Sequence, residues 1–208
     1  QPPYFDPEAD DAVNYGNIGA TIGHEMTHGF DNGGRKYDAR GNLRNWWTPE
    51  DEKAFRERTV LLARQFDAYE PIPGRRVNGT LTLDENIADL GGLKIAYDAF
   101  KLSQQDKPPP GLLDGLTPAQ RFFLSYAETW RIKVRDEALR ARLMTDEHAP
   151  ARYRVLGPLA NVPGIQVGRD QDNLVRESAT ADLGDDIGGV GVGKGLRRER
   201  EVQRELVA

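Results

Sequence analysis

Apolar positions in the first 163 residues line one side of successive segments at helical spacing, and glycine- or proline-rich breaks separate the segments. The pattern predicts a mainly α-helical fold. Five helices are predicted, over residues 13–30, 49–70, 83–102, 118–134 and 136–144.

Helix starts are marked most clearly at two threonine–proline pairs. Thr48 can cap a helix whose first turn holds Pro49, and Asp51 completes a pattern resembling a capping box. Thr117-Pro118 is also expected to open a helix. Because proline interrupts helices, the segment from His148 to Pro158 is expected to be a loop.

Glycines recur at helical spacing in the first predicted helix, at Gly16, Gly19 and Gly23. Glycine weakens a helix, so such a run indicates close approach of another backbone. We therefore expect this helix to be buried and tightly packed.

The character of the chain changes at Gly164. From there to Ala208 no aromatic residue occurs, and glycine and arginine cluster. This segment cannot bury enough apolar surface to offset its ordering entropy. We expect residues 1–163 to form one domain and residues 164–208 to be an irregular or disordered tail, with a reading-frame change after Pro163 as its hypothesised origin.

Composition narrows the function. The chain is 38% hydrophobic and 29% charged with net charge -5, which argues against a nucleic-acid surface. No apolar run is long enough to span a membrane, and the start at Gln1 suggests a piece of a longer protein. With no cysteine, a metal site must use histidine and carboxylate.

The strongest chemical signal is His24-Glu25-Met26-Thr27-His28. Two histidines four apart on a helix share one face and can hold one metal ion, and imidazole suits zinc. Glu25 follows the first histidine, where a carboxylate can take a proton from water. This is the H-E-x-x-H arrangement of zinc peptidases, although two solvated histidines on an amphipathic helix would also produce it.

A third zinc ligand is expected from the acidic cluster Asp84, Glu85 and Asp89. Glu85 and Asp89 lie four apart on one helical face, so Glu85 can ligate while Asp89 orients a ligand histidine by accepting a proton from its far nitrogen. A solvated acidic helix start explains the same residues equally well.

Three separated motifs, HEMTHGFD, ENIADLGG and HAPARYRVLGPLAN, resemble the catalytic end of the neprilysin and endothelin-converting-enzyme family of zinc endopeptidases. Residues 1–25 are also similar to that family's approach to its zinc helix. The resemblance covers residues 1–163 and implies a zincin-like (gluzincin) domain fragment.

The resemblance also implies a set of roles. His24, His28 and Glu85 would hold one Zn²⁺ per chain, with Glu25 as general base. Asp89 would orient one zinc histidine, and Asp31 is a plausible partner for the other.

Substrate contacts are implied at three further positions. His148 would stabilise the oxyanion, Arg154 would bind a substrate backbone carbonyl, and Trp130 would line the pocket after the scissile bond, which favours large apolar side chains. Trp130 could equally be ordinary core. The implied substrates are oligopeptides, and the family suggests an extracytoplasmic location at the cell surface, in the periplasm or secreted.

Departures from the family leave alternatives open. Family members are several times longer, and neither their large helical region nor their substrate-gripping edge strand is present in this sequence. The chain could therefore be an inactive or incomplete zinc-binding fragment. A different H-E-x-x-H hydrolase and an interaction module carried by the charged tail are weaker alternatives.

Overall fold

The computed structural model describes residues 4–108, 111–163, 165–166 and 176–177, and this part of the chain is mainly α-helical, as predicted. Two short strands, β1 (Ile165–Gln166) and β2 (Arg176–Glu177), pair antiparallel. The helices are α1 (Asp11–Asn14), α2 (Ala20–Thr27), α3 (Pro49–Asp67), α4 (Leu83–Ser103), α5 (Pro118–Thr129), α6 (Asp136–Thr145) and α7 (Ala151–Leu159).

The first predicted helix is one continuous helical run with changes of pitch. A π-helical turn, Tyr15–Gly19, joins α1 to α2, and a 3₁₀ turn, His28–Phe30, ends the run. Asp10 caps its start by accepting a hydrogen bond from the backbone N–H of Ala12 at 2.6 Å. A π turn in a helix is frequently found beside a functional site.

Helices α2 and α4 touch backbone to backbone. A Cβ atom on Gly92 would lie 2.3 Å from the backbone nitrogen of His24, and one on Gly23 would lie 2.7 Å from the carbonyl oxygen of Gly92. Both distances are shorter than van der Waals contact permits, so glycine is required at both positions. The predicted close approach is confirmed here.

The same expectation holds for Gly16 and is wrong for Gly19. A Cβ atom on Gly16 would lie 2.2 Å from the carbonyl oxygen of Phe122 in α5. A Cβ atom on Gly19 would meet its nearest neighbours at 3.7 Å, which is ordinary contact. Close approach therefore explains two of the three glycines.

Both predicted threonine–proline helix starts are confirmed, and each forms a capping box, which the sequence indicates only at Thr48. Thr48 and Thr117 cap α3 and α5, with the return bonds supplied by Asp51 and Gln120. However, α5 ends at Thr129 rather than near residue 134. Ile132 and Val134, whose β-branched side chains slightly lower helix propensity, lie beyond this end.

The loop predicted from His148 to Pro158 is wrong, because residues 151–159 form α7. Pro150 precedes the first turn, where proline is tolerated, and Pro158 lies in the last turn. The N–H that Pro158 lacks would have bonded the carbonyl of Arg154. The Tyr126 hydroxyl donates to that carbonyl instead, at 2.7 Å, so the helix continues through the proline.

Helix α4 lies between two apolar clusters. One contains Leu93 and Phe100 with side chains of α5 and α7, and the other packs Ile87 and Leu90 against Phe66 of α3. Support from both sides fixes the position of the acidic first turns of α4.

No helix in the described residues is long and apolar enough to cross a bilayer. The disorder predicted for residues 164–208 concerns a segment that, apart from β1 and β2, lies outside the described part of the chain.

Candidate metal centre and cleft

Three nitrogen and oxygen donors converge where α2 faces α4. The Nε2 atoms of His24 and His28 lie 3.0 Å apart. Glu85 places Oε2 3.3 Å from His24 Nε2 and Oε1 3.5 Å from His28 Nε2. Donors about 2.0–2.1 Å from a tetrahedral zinc ion lie roughly 3.3 Å from one another. The spacing and chemistry of the group therefore fit zinc.

The far nitrogen of each histidine faces a carboxylate. His24 Nδ1 lies 2.8 Å from Asp89 Oδ1, and His28 Nδ1 lies 2.7 Å from Asp31 Oδ2. Donation from Nδ1 directs both Nε2 lone pairs towards the space shared with Glu85. These are the two orienting contacts that the sequence suggested.

The protonation of His24 follows from its neighbours. Burial lowers its pKa, but hydrogen bonds to Asp89 and Glu85 outweigh burial and raise the pKa to about 9. Burial likewise raises the pKa of Glu85, but the hydrogen bond from His24 and the charges of His148 and Arg154 bring it below its usual value. A cation binding here must therefore displace a proton from His24 and meets a carboxylate already ionised.

The other two acidic candidates are engaged elsewhere. Asp84 Oδ1 accepts a hydrogen bond from the backbone N–H of Asn32 at 3.2 Å, and burial together with the charge of Asp31 raises the pKa of Asp84. Asp89 is held by His24. Among the described residues, Glu85 is the carboxylate that joins both histidines in a group of donors within 4.8 Å.

Arg154 of α7 donates hydrogen bonds to both Asp89 and Glu85. Its Nε and one Nη donate to Asp89 at 2.7 and 2.8 Å, and the same Nη donates to Glu85 Oε2 at 3.2 Å. The guanidinium lies over the Trp130 ring, 4.1 Å from its centroid. Its other Nη makes no hydrogen bond within the described part of the chain, and Arg154 borders the cleft.

His148 contacts the same Glu85 oxygen as Arg154. Its Nε2 is 3.1 Å from Glu85 Oε2, and its Nδ1 is 2.9 Å from Asp146 Oδ1. The ring is 47% exposed. It therefore borders solvent while touching the metal-binding group.

A cleft of about 180 Å³ adjoins these residues. Glu25 is exposed on its wall, one residue after His24. Trp130 both lines the cleft and packs against the apolar cluster of α5. The two interpretations of Trp130 are thus compatible. The lining residues are Tyr4, Asn17, Ala20, Thr21, His24, Glu25, Asp89, Tyr126, Thr129, Trp130, His148 and Arg154.

Comparison with known proteins places this chain in a family. The sequence profile of peptidase family M13 matches residues 1–167. The chain belongs to peptidase family M13.

Two curated M13-type relatives show the extent of the similarity. An endothelin-converting enzyme homolog of Locusta migratoria is 44% identical over 164 residues, covering 78% of this chain and 22% of that protein. Endothelin-converting enzyme-like 1 of Homo sapiens is 43% identical over 162 residues, covering 77% and 21%. The chain thus spans about a fifth of the length of these relatives.

Solved structures agree with the M13 fold. The zinc metalloprotease Zmp1 of Mycobacterium tuberculosis, in complex with an inhibitor, matches with a TM-score of 0.75 and 49% identity, over 78% of this chain and 25% of that one. PepO from Lactobacillus rhamnosis matches with a TM-score of 0.69 and 44% identity, over 78% and 24%. The resemblance seen in the sequence is confirmed.

Sequence reasoning missed two residues that support this site. Asp146 lies beside His148, and the Asp-x-His spacing could have indicated that contact. The Tyr126 hydroxyl donates a hydrogen bond to the backbone of Arg154 from a different helix, and no local sequence pattern predicts such a contact.

Proposed function

We propose that this chain forms the metal centre and part of the substrate cleft of a zinc metalloendopeptidase that hydrolyses oligopeptides. The observation that supports this most directly is the convergence of His24, His28 and Glu85 beside Glu25 on one wall of a cleft. Membership of M13 supports the same proposal.

The three converging residues would hold the ion, and Asp89 and Asp31 would keep both imidazoles in the ligating tautomer. Zinc bound there supplies Lewis acidity, which polarises a scissile carbonyl and makes water easier to deprotonate.

Glu25 is the proposed general base. Its carboxylate takes a proton from the attacking water and passes it to the leaving amine. Its position supports this role, because it is exposed to the cleft and adjacent in sequence to His24.

His148 is proposed to stabilise the charge that develops on the carbonyl oxygen. Its Nε2 lies 3.1 Å from Glu85 Oε2, at the edge of the proposed metal centre, where an Nε2–H can be presented to that carbonyl oxygen. Its exposure leaves room for a substrate to approach.

Arg154 and Trp130 are proposed to receive the peptide. The second Nη of Arg154 offers a donor to a backbone carbonyl, while its other donors hold the guanidinium still. Trp130 contributes an aromatic wall, which supports a preference for large apolar side chains after the scissile bond.

The test of the proposed base is Glu25→Gln. The amide keeps the size of the side chain and removes the base, so zinc content should be unchanged while turnover of a quenched fluorescent peptide falls about 10²–10⁴-fold. Glu57→Gln changes an exposed side chain of α3 in the same way. It is the matched control and should cleave at the parent rate. Near-parental cleavage by Glu25→Gln would remove Glu25 from this role.

The proposed specificity is tested with peptides that differ only after the scissile bond. Leucine or phenylalanine there should give a higher kcat/KM than alanine by roughly 10-fold or more, since each buried methylene contributes about 0.8 kcal/mol. Trp130→Ala should lower the ratio of kcat/KM for the leucine or phenylalanine peptide to kcat/KM for the alanine peptide. A ratio that is the same in both proteins would exclude Trp130 as a specificity wall.

A second candidate is a zinc-binding piece whose turnover needs the rest of a longer chain, and it is favoured by the span of only a fifth of the relatives' length. Chelator-sensitive cleavage by the isolated chain separates the two. Bound zinc without cleavage would select the second candidate.

A further inference from the structure

We propose that the Tyr126 hydroxyl is a positioning group for Arg154, and that it acts by replacing the helix donor that Pro158 removes. The inference rests on the proposed function, in which Arg154 braces the zinc centre and receives substrate. It concerns a hydroxyl on α5, outside the motifs that define the site.

The hydrogen bond from Tyr126 compensates for a backbone donor that α7 lacks at Pro158. In a regular helix the N–H of residue 158 would bond the carbonyl of residue 154, but proline has no N–H. The Tyr126 hydroxyl donates to the Arg154 carbonyl at 2.7 Å, and both partners are buried. Without it, the buried carbonyl of the residue that carries the guanidinium would lose this donor as well as the i→i−4 donor that Pro158 removes.

The same residue is held at its other end by Asp89, Glu85 and Trp130. The hydrogen bond from Tyr126 therefore fixes the backbone position of Arg154. The Arg154 side chain in turn donates to Glu85 and to Asp89, which contacts His24. Loosening the backbone at Arg154 would loosen the contacts that orient the metal ligands.

Proline also supplies the means of testing this. Tyr126→Phe removes the hydroxyl alone. Pro158→Ala restores a backbone N–H that can bond the Arg154 carbonyl, so the double variant should recover what Tyr126→Phe loses. Tyr153→Phe removes the hydroxyl of another buried tyrosine, from α7 itself, and is the matched control.

The first readout is the solvent exchange of the Arg154 Nε–H, followed by NMR and assigned by its loss in Arg154→Lys. We expect exchange about five- to tenfold faster in Tyr126→Phe, as for loss of one ordinary buried hydrogen bond, and near-parental exchange in Tyr126→Phe/Pro158→Ala. Pro158→Ala and Tyr153→Phe should each exchange at the parent rate.

The second readout is zinc affinity, measured by competition with a chelator. We expect a loss of about threefold to tenfold in Tyr126→Phe, with recovery in the double variant, because supporting contacts of metal ligands tune affinity. A residue that merely stabilised the fold would lower the melting temperature and leave zinc affinity unchanged.

Unchanged Nε–H exchange in Tyr126→Phe would overturn the proposal, as would faster exchange that Pro158→Ala does not restore. A parental zinc affinity in every variant, even though Pro158→Ala restores the Nε–H exchange that Tyr126→Phe accelerates, would also overturn the proposal, because Tyr126 would then have only a structural role. If the parent protein binds no zinc, the proposed function fails, whereas the exchange measurement still decides whether Tyr126 positions Arg154.

Discussion

Each proposed zinc ligand is held by at least one other residue, so the donor group is preorganised at the scale of single residues. Asp89 is shared between His24 and Arg154, and Glu85 touches both histidines, His148 and Arg154. Because Asp89 and Glu85 each contact more than one of these side chains, a change in the charge of one side chain affects the position of its neighbours. A metal ion at this centre would therefore compete directly with a proton.

Zinc affinity should fall with falling pH from about 9, by roughly tenfold per unit, because one proton must leave His24 on binding. In chelator-treated protein the sign is opposite: the raised pKa stabilises the fold below pH 6.5, and that contribution is lost as pH rises through about 9.

Asp89→Asn tests the cause of this pH dependence. An amide cannot stabilise the imidazolium as a carboxylate does, so the steep region should move towards lower pH. Chelator competition at pH 7, 8 and 9 measures both proteins. A parental affinity that stays constant across this range would contradict the proton competition.

The close contact of α2 with α4 is the feature at the element scale on which the site depends. The motif histidines stand on or directly after one helix and Glu85 on the other, and glycine lets the two backbones meet. Residues about sixty positions apart are brought within hydrogen-bonding distance as a result.

Gly92→Ala should destabilise the protein by about 1–3 kcal/mol or more, because the new Cβ would meet the backbone at His24. Gly19→Ala is the control: it has room for a methyl group and should be neutral or stabilising by up to about 1 kcal/mol. Denaturant midpoints compare the two. Equal stability of the two variants would argue against the close contact.

Sequence patterns predicted the elements that depend on local signals. The starts of α3 and α5 follow from threonine–proline pairs, and the span of α4 follows from apolar spacing. Helix α7 was missed because local rules treat Pro158 as a helix breaker. The compensating donor, Tyr126, comes from another helix, so a long-range contact overrides the local rule.

For the site, the H-E-x-x-H spacing placed His24 and His28 together, whereas spacing alone divided evenly between Glu85 as a ligand and a solvated acidic start of the helix. The choice among Asp84, Glu85 and Asp89 depends on the rotation of α4 against α2, which packing sets. The resemblance of the ENIADLGG motif to its family favours Glu85, and the position of Glu85 between the two histidines is consistent with that choice.

At the scale of the whole molecule, the described helices form two apolar clusters with α4 between them, and the donors lie where α2 crosses that helix. The chain covers about a fifth of the length of its curated M13 relatives. Metal binding needs residues that this chain holds, whereas productive substrate binding can also depend on parts of a longer protein. Metal content is thus the more direct test of this centre.

The decisive measurement is zinc content per chain after saturation and dialysis, compared among the parent, Glu85→Ala and Asp84→Ala. We expect one zinc in the parent and in Asp84→Ala, and a large loss in Glu85→Ala. A parent chain without zinc, or Glu85→Ala with undiminished zinc, would contradict a centre built from His24, His28 and Glu85.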